Sequence, residues 1–427
     1  MWQRVYLQRL GRDLELWIER GWVTPQNAEA ILASARGDAT IRRVPQLLAL
    51  FGAVLIGFAA MSFVAANWGE LSKLTKLLLL MAAMWAAYGA AFVLDRRQHP
   101  AFAQAAVVGG LALFGANIML IAQIYHVNSG DPGWILLWCL VALASAWAMP
   151  SRPALALSFL LAILWSSLMP PVEGHAHWGF FLPWAVALVL TLRLSWLSGF
   201  HLAILTAYVW AALNAEPLAA ALGCGRGEIA ALYILLSLVL WLASLRVSAR
   251  STRFGSAMEA YGLVVSFTLL WVLQAAPPQS ETSASWIALV AIGVAVVAGL
   301  TFVELRAKRL TLRDVVGFGA LALGAAFYSS LAHGSPNAVS WVYAALFIAL
   351  SIWLVAYGSS RRSAFALNAG FAAFAGEVLY LYFETLGSLL GTAAFFALGG
   401  VILIAGAFVL TRIRSRVVKA AGEGGAR

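Results

Sequence analysis

Charge is scarce in this sequence. Of 427 residues, 11% are Asp, Glu, Lys or Arg and 62% are apolar, with a mean hydropathy of +0.86. Soluble domains carry about 25% charge, and a fold with so little cannot cover its surface in water. Disorder is excluded by the same figures, because disordered chains are poor in apolar residues. Cysteine is nearly absent. Cys139 and Cys224 lie in or beside apolar stretches, which argues against a disulfide framework or a thiolate metal site. Lysine is confined to Lys73, Lys76, Lys308 and Lys419 among 28 basic residues. With abundant Ala and Leu, that bias points to a GC-rich bacterial genome. Catalytic signatures are missing too. There is no GxxxxGK[ST] to cradle phosphate, no HExxH for zinc and no GxSxG nucleophile elbow. No cofactor is expected. The first 44 residues are polar and amphipathic and do not read as a cleavable signal peptide.

What is abundant is apolar sequence in blocks. A helix needs about 20 apolar residues to cross a bilayer. Fourteen blocks qualify, at 45–66, 74–94, 101–125, 132–149, 153–169, 176–192, 196–214, 227–246, 257–276, 284–303, 315–333, 338–358, 363–383 and 390–411. The fifth and sixth are the shortest, bounded by Pro150, Pro153, Pro170 and Pro171. The expected fold is all-α, a polytopic helical membrane protein of about fourteen transmembrane helices. Placing both ends in the cytoplasm puts 25 Lys and Arg inside and three (Lys73, Lys76, Arg226) outside, as the positive-inside rule requires. The net charge of +10 then belongs to a basic inner face, held against anionic headgroups rather than nucleic acid. Trp68, Trp134, Trp178, Trp286 and Trp341 fall near outer span ends, where an aromatic belt is expected.

The spans divide into a first half, 45–214, and a second, 227–411, around a loop at 215–226, with a basic tail at 412–427. Seven per half would invert one half relative to the other, as in many transporters, though no residue-level similarity links them. Residues 1–44 form a cytoplasmic helical hairpin and linker. Arg4 to Arg20 is amphipathic, Gly21 stops it, and Thr24-Pro25 opens a second helix to about Ala35. So small a hairpin cannot hold a core alone, so it is expected to meet the membrane face, the cytoplasmic loops or a protein partner.

The stretch Trp17-Ile-Glu-Arg-Gly-Trp-Val-Thr-Pro-Gln-Asn-Ala28 resembles the N-terminal signature of a bacterial membrane protein family known only as a predicted membrane protein with a domain of unknown function. The first span, with Phe51-Gly52, Gly57 and Ala65-Ala66-Asn67-Trp68, is similar to that family's first span. Gln123-Ile124-Tyr125-His126 resembles the end of its third. Some relatives carry a second membrane domain of unknown function, and Asn368 to Gly400, with Tyr382-Phe383-Glu384, looks like the end of one. The resemblance implies a helical fold in the bacterial inner membrane and brings no activity with it.

Inside the membrane a charge costs roughly 2.5–3.5 kcal/mol and is retained for a reason. Glu377, deep in the thirteenth span, is the clear case. Tyr380 and Glu384 follow on its face and Asn368 precedes it on the same helix. Glu377 is a candidate proton or cation site, or else a protonated acid bonded to a neighbouring helix. Asn67 and Trp68 end the first span and Gln123, Tyr125 and His126 end the third on the same side. With Gln104 and Asn117 deeper, they are candidates for an outward vestibule. His175-x-His177 alone is too little for a metal site. Gly109, Gly110 and Gly115 read as close helix packing. Three functions fit these residues. One is an ion-gradient-driven transporter or flippase of a polar or lipid-linked substrate. Another is a non-catalytic membrane partner or sensor of an envelope complex. The third is an enzyme on a lipid-linked substrate, using Glu384, His126, His333 or Glu173.

Overall fold

The computed structural model describes residues 2–31, 72–124, 132–169, 175–275, 283–334, 336–386, 400 and 404. The expected span at 45–66, that at 390–411 apart from residues 400 and 404, and Asn67, Trp68, Tyr125 and His126 lie outside them. The chain forms two units, Met1–Ala82 and Ala83–Arg427.

In the first unit, α1 (Trp2–Glu19) ends in a Schellman turn. Trp22 N–H bonds the Trp17 carbonyl at 2.9 Å and Gly21 N–H bonds that of Ile18 at 3.0 Å. The turn needs a left-handed residue, and Gly21 supplies φ 70°. Thr24 then accepts from Asn27 N–H at 3.3 Å, capping α2, helical over residues 25–31. Leu14 and Ala28 are the buried positions of the pair. Ser72, bonded to Thr75 N–H at 3.1 Å, opens α3 (Lys73–Arg96), which begins here and ends in the second unit.

The second unit continues with α4 (Pro100–Ile124), α5 (Gly133–Ala148), α6 (Arg152–Leu168), a 3-10 turn (Trp178–Phe180), α7 (Phe181–Arg193), α8 (Leu197–Leu213) and α9 (Ala215–Leu222). After these come α10 (Arg226–Arg250), α11 (Thr252–Ala275), α12 (Ala284–Arg306), α13 (Leu312–Gly334), α14 (Pro336–Arg361) and α15 (Ala364–Leu386). No strand occurs among the described residues.

Among the described residues eight helices, α3, α4 and α10 to α15, are long and apolar enough to cross a membrane. A ninth span arises if α8 and α9, bent by 55°, are taken together. The expected loop at 215–226 is therefore mostly helix. Its alanines continue the helix until Gly223, at φ 56°, closes a second Schellman turn through Cys224 N–H to Ala219 at 3.0 Å. The expected fourth to sixth spans are the short helices α5, α6 and α7, of 16, 17 and 13 residues. At 1.5 Å per residue these reach about 20–25 Å, below the roughly 30 Å of a hydrocarbon core. Protein shields α6 instead, since Ala154, Leu155, Ser158, Phe159, Ala162 and Trp165 are all buried.

Two cores fill the second unit. One joins α3 to α8 around Val107, Leu111, Ile135, Leu155, Phe159 and Phe180. The other is built on α10, which packs against α11, α12 and α13. There Trp241, fully buried, meets Phe318, Trp353 and Tyr357 ring to ring. Phe200 and Ile204 of α8 pack on Ala257 of α11 between them. Large apolar side chains also face outward, with Trp85, Trp147, Leu182 and Leu312 each more than two-thirds exposed. Only lipid makes such a surface favourable, so the chain is a polytopic helical membrane protein.

Candidate functional site

Glu377 of α15 is buried, and so is Gln274 near the end of α11. Gln274 Nε2 donates to Glu377 Oε1 at 2.9 Å. Their other oxygens, Glu377 Oε2 and Gln274 Oε1, have no partner among the described residues. Tyr380, one turn on, sets its ring edge-on to Trp271 at 5.4 Å. Ser340 of α14 donates to the Gln274 carbonyl at 3.1 Å. An apolar groove of about 310 Å³ lies between α11, α14 and α15, lined by Phe267, Thr268, Trp271, Phe347 and Ala373 among others; Trp271 and Ala373 stand one turn before Gln274 and Glu377, which do not line it. Glu384 and Asn368 are exposed, so the structure does not gather them with Glu377. Gln274 was not singled out in the sequence. Its one signal is being the sole amide of its apolar block.

A second polar group sits where α10, α12 and α14 end and α11, α13 and α15 begin, the arginine-rich end of the bundle. Glu304 of α12 is fully buried and pairs with Arg246 of α10 and with Arg309. Arg309 Nη1 lies 2.8 Å from Glu304 Oε2. Arg361 donates to the Arg309 carbonyl. Tyr357 takes a bond from the Trp241 indole at 3.1 Å and faces Glu259 of α11, whose Oε1 is unpartnered. Thr311 and Asp314 cap α13 reciprocally, with Thr311 Oγ1 bonded to Asp314 Oδ2 at 2.8 Å.

At the opposite end of α10 stands Glu228. It is fully buried in the first turn of α10, and neither carboxylate oxygen has a partner. Its carbonyl accepts from the Trp286 indole at 3.1 Å, which removes buried Trp286 from the expected aromatic belt. Trp178 and Trp341, by contrast, are exposed. Burial, with Glu228 nearby, pushes the Cys224 thiol up to about 11.

Gln104 and Asn117 of α4 each leave a buried oxygen without a partner. Asn117 turns its amide back on the Leu113 carbonyl at 2.9 Å. Gln123 lies in the last turn of α4. Gly110 lies against the Tyr88 ring and Gly115 under that of Trp138, whose indole bonds the Leu111 carbonyl at 2.9 Å. His177 is a framework residue. Its N–H bonds Asn214 at 2.9 Å, its Nδ1 lies 3.0 Å from Ser166 Oγ, and its ring stands edge-on to Trp165. Among the described residues no three His, Cys, Asp or Glu side chains gather to hold a metal.

No curated protein matches the chain, and no solved structure does. Residues 15–155 match the model of a family described as Predicted membrane protein (DUF2157), a membrane domain of unknown function.

Proposed function

We propose that this membrane protein is an ion-gradient-driven transporter or flippase of a polar or lipid-linked substrate, with Glu377 taking up and releasing the coupling proton. The reading rests on the buried pair. A carboxylic acid and a primary amide satisfy each other when amide N–H donates to one acid oxygen and acid O–H donates to the amide oxygen. Gln274 already makes the first bond. One proton on Glu377 supplies the donor for the second, between the two oxygens that lack partners. Losing that proton leaves an anion with one donor among apolar helices, which is costly. The two states therefore demand different packing, and a transport cycle needs such a difference. The groove that ends one turn short of the pair is apolar apart from Thr268, which suits an acyl chain and favours a lipid-linked substrate. The sequence carries no phosphate-binding loop, so an ion gradient is the energy source. The reading adopts the fourteen-span arrangement in the bacterial cytoplasmic membrane, both termini inside, with anionic headgroups against the arginine-rich face.

The test is proton flux into liposomes holding the purified chain, driven by a potassium gradient with valinomycin and read by a trapped pH dye. Glu377→Gln should lose roughly tenfold of the wild-type rate, equivalent to about 1.4 kcal/mol, and Glu377→Asp should keep part of it. Equal flux in wild type and Glu377→Gln would overturn the reading. No wild-type flux at all would favour a non-catalytic partner or sensor.

A further inference from the structure

Several buried hydroxyls in this protein share a habit, while others such as Ser237 bond a side chain of another helix. Ser158, Thr191, Ser244, Thr301 and Ser351 each turn back to a carbonyl of their own helix, at 2.6–2.8 Å. Ser266 of α11 is fully buried and does not; its Oγ has no partner. Seven residues before it on α11 stands Glu259, with Oε1 unpartnered, and eight residues after it Gln274, with Oε1 unpartnered. Steps of seven and eight residues are about two helical turns, so the three share one side of α11. Gly262, a turn before Ser266, lies against the Ser237 carbonyl and Trp241 of α10, so that side faces the core. Gln274 then hands on to Glu377, whose Oε2 is also unpartnered. Three buried oxygens without donors among the described residues thus run along α11, over about 22 Å at 1.5 Å per residue, and a fourth on Glu377 of α15 ends the row. Unsatisfied buried polar atoms in a row are what ordered water serves.

We propose that the core side of α11 is the proton path of this protein, leading from Glu259 past Ser266 to Gln274 and Glu377. The inference rests on the proton-coupled reading above and adds a route and an entrance to it. A proton enters from water at Glu259, which Tyr357 and Arg361 of α14 face. It passes through water held at Ser266 and reaches Glu377, which Tyr380 faces from the same helix. Leu270, fully buried between Ser266 and Gln274, is the apolar gap that keeps the path from leaking.

The test is cysteine labelling in the full-length protein in liposomes, using the water-soluble 2-aminoethyl methanethiosulfonate. Native Cys139 and Cys224 are buried, so wild type sets the baseline. Ser266→Cys should react roughly tenfold faster than wild type. Ser256→Cys, exposed at the arginine-rich end, should react freely, and Val264→Cys on the lipid side should not. If Ser256→Cys reacts while Ser266→Cys stays at baseline, the path is wrong. Proton flux on the same liposomes separates this from the parent reading. Ser266→Cys at baseline, with flux abolished by Glu377→Gln, overturns the path and leaves the coupling site standing. A reactive Ser266→Cys with flux indifferent to Glu377→Gln overturns the coupling site and leaves a water-filled path. Leu270→Ser should raise the passive leak several-fold over wild type, and an unchanged leak would remove Leu270 as the gap.

Discussion

Lys308 and Arg362 stand in turns at the arginine-rich end with φ of 57° and 55°. Each closes a Schellman turn, with Arg309 N–H on Glu304 and Ser363 N–H on Gly358, both at 2.9 Å. A side chain in the left-handed region costs about 1–2 kcal/mol. Lys308→Gly and Arg362→Gly should each therefore stabilise by about 0.5–1 kcal/mol, seen as a higher unfolding midpoint in detergent. His177 behaves differently. Burial lowers its imidazole below the ordinary value, so the folded state holds fewer protons than the unfolded one. The stability it contributes is complete above the unfolded value of about 6.5 and is lost as pH falls through the folded value. Acid should lower the unfolding midpoint of the wild type, and His177→Asn should flatten that slope between about pH 5 and 7. An identical slope in both proteins would show that other groups carry it.

At the scale of elements, glycine sets how closely helices cross. A Cβ on Gly115 would fall inside the Trp138 ring, and one on Gly358 would meet the backbone of Leu367 on α15. A ring can shift whereas a backbone cannot. Gly115→Ala should cost about 1–3 kcal/mol and be partly rescued by Trp138→Phe. Gly358→Ala should cost more, with no side-chain rescue, because α14 and α15 would have to move apart. Thermal unfolding of the three variants checks the order. The tight packing of Gly110 and Gly115 was legible in the sequence, whereas Gly109, expected to pack with them, has no described neighbour within 4 Å of where a Cβ would sit. The partners of Gly110 and Gly115, Tyr88 and Trp138, were not legible, because the ring that fills each gap comes from another helix.

For the whole molecule, charge decides both orientation and cohesion. A reporter fused at Arg427 is expected on the cytoplasmic side, since 25 of 28 basic residues fall inside with fourteen spans. Glu304 collects Arg246 and Arg309 at the arginine-rich end of the bundle. Glu304→Gln should cost about 1–2 kcal/mol in unfolding experiments, toward the lower side because both arginines keep contact with solvent.

The sequence alone determined membrane residence, helical class and the apolar blocks, because lipid demands apolar length and internally bonded backbone. Twelve of the fourteen expected blocks fall on described helices. It also singled out Glu377, because an acid amid apolar residues is visible without coordinates. Helix length was less legible. The short α5, α6 and α7 and the bend into α9 arise where neighbouring protein rather than lipid satisfies the chain. Only the tertiary structure decided what Glu377 meets. Gln274 is 103 residues away along the chain, and hydropathy carries no record of which helices pack together. For the same reason Ser266 stood out only once its neighbours were known: a serine in an apolar helix is ordinary until its hydroxyl is found without a partner.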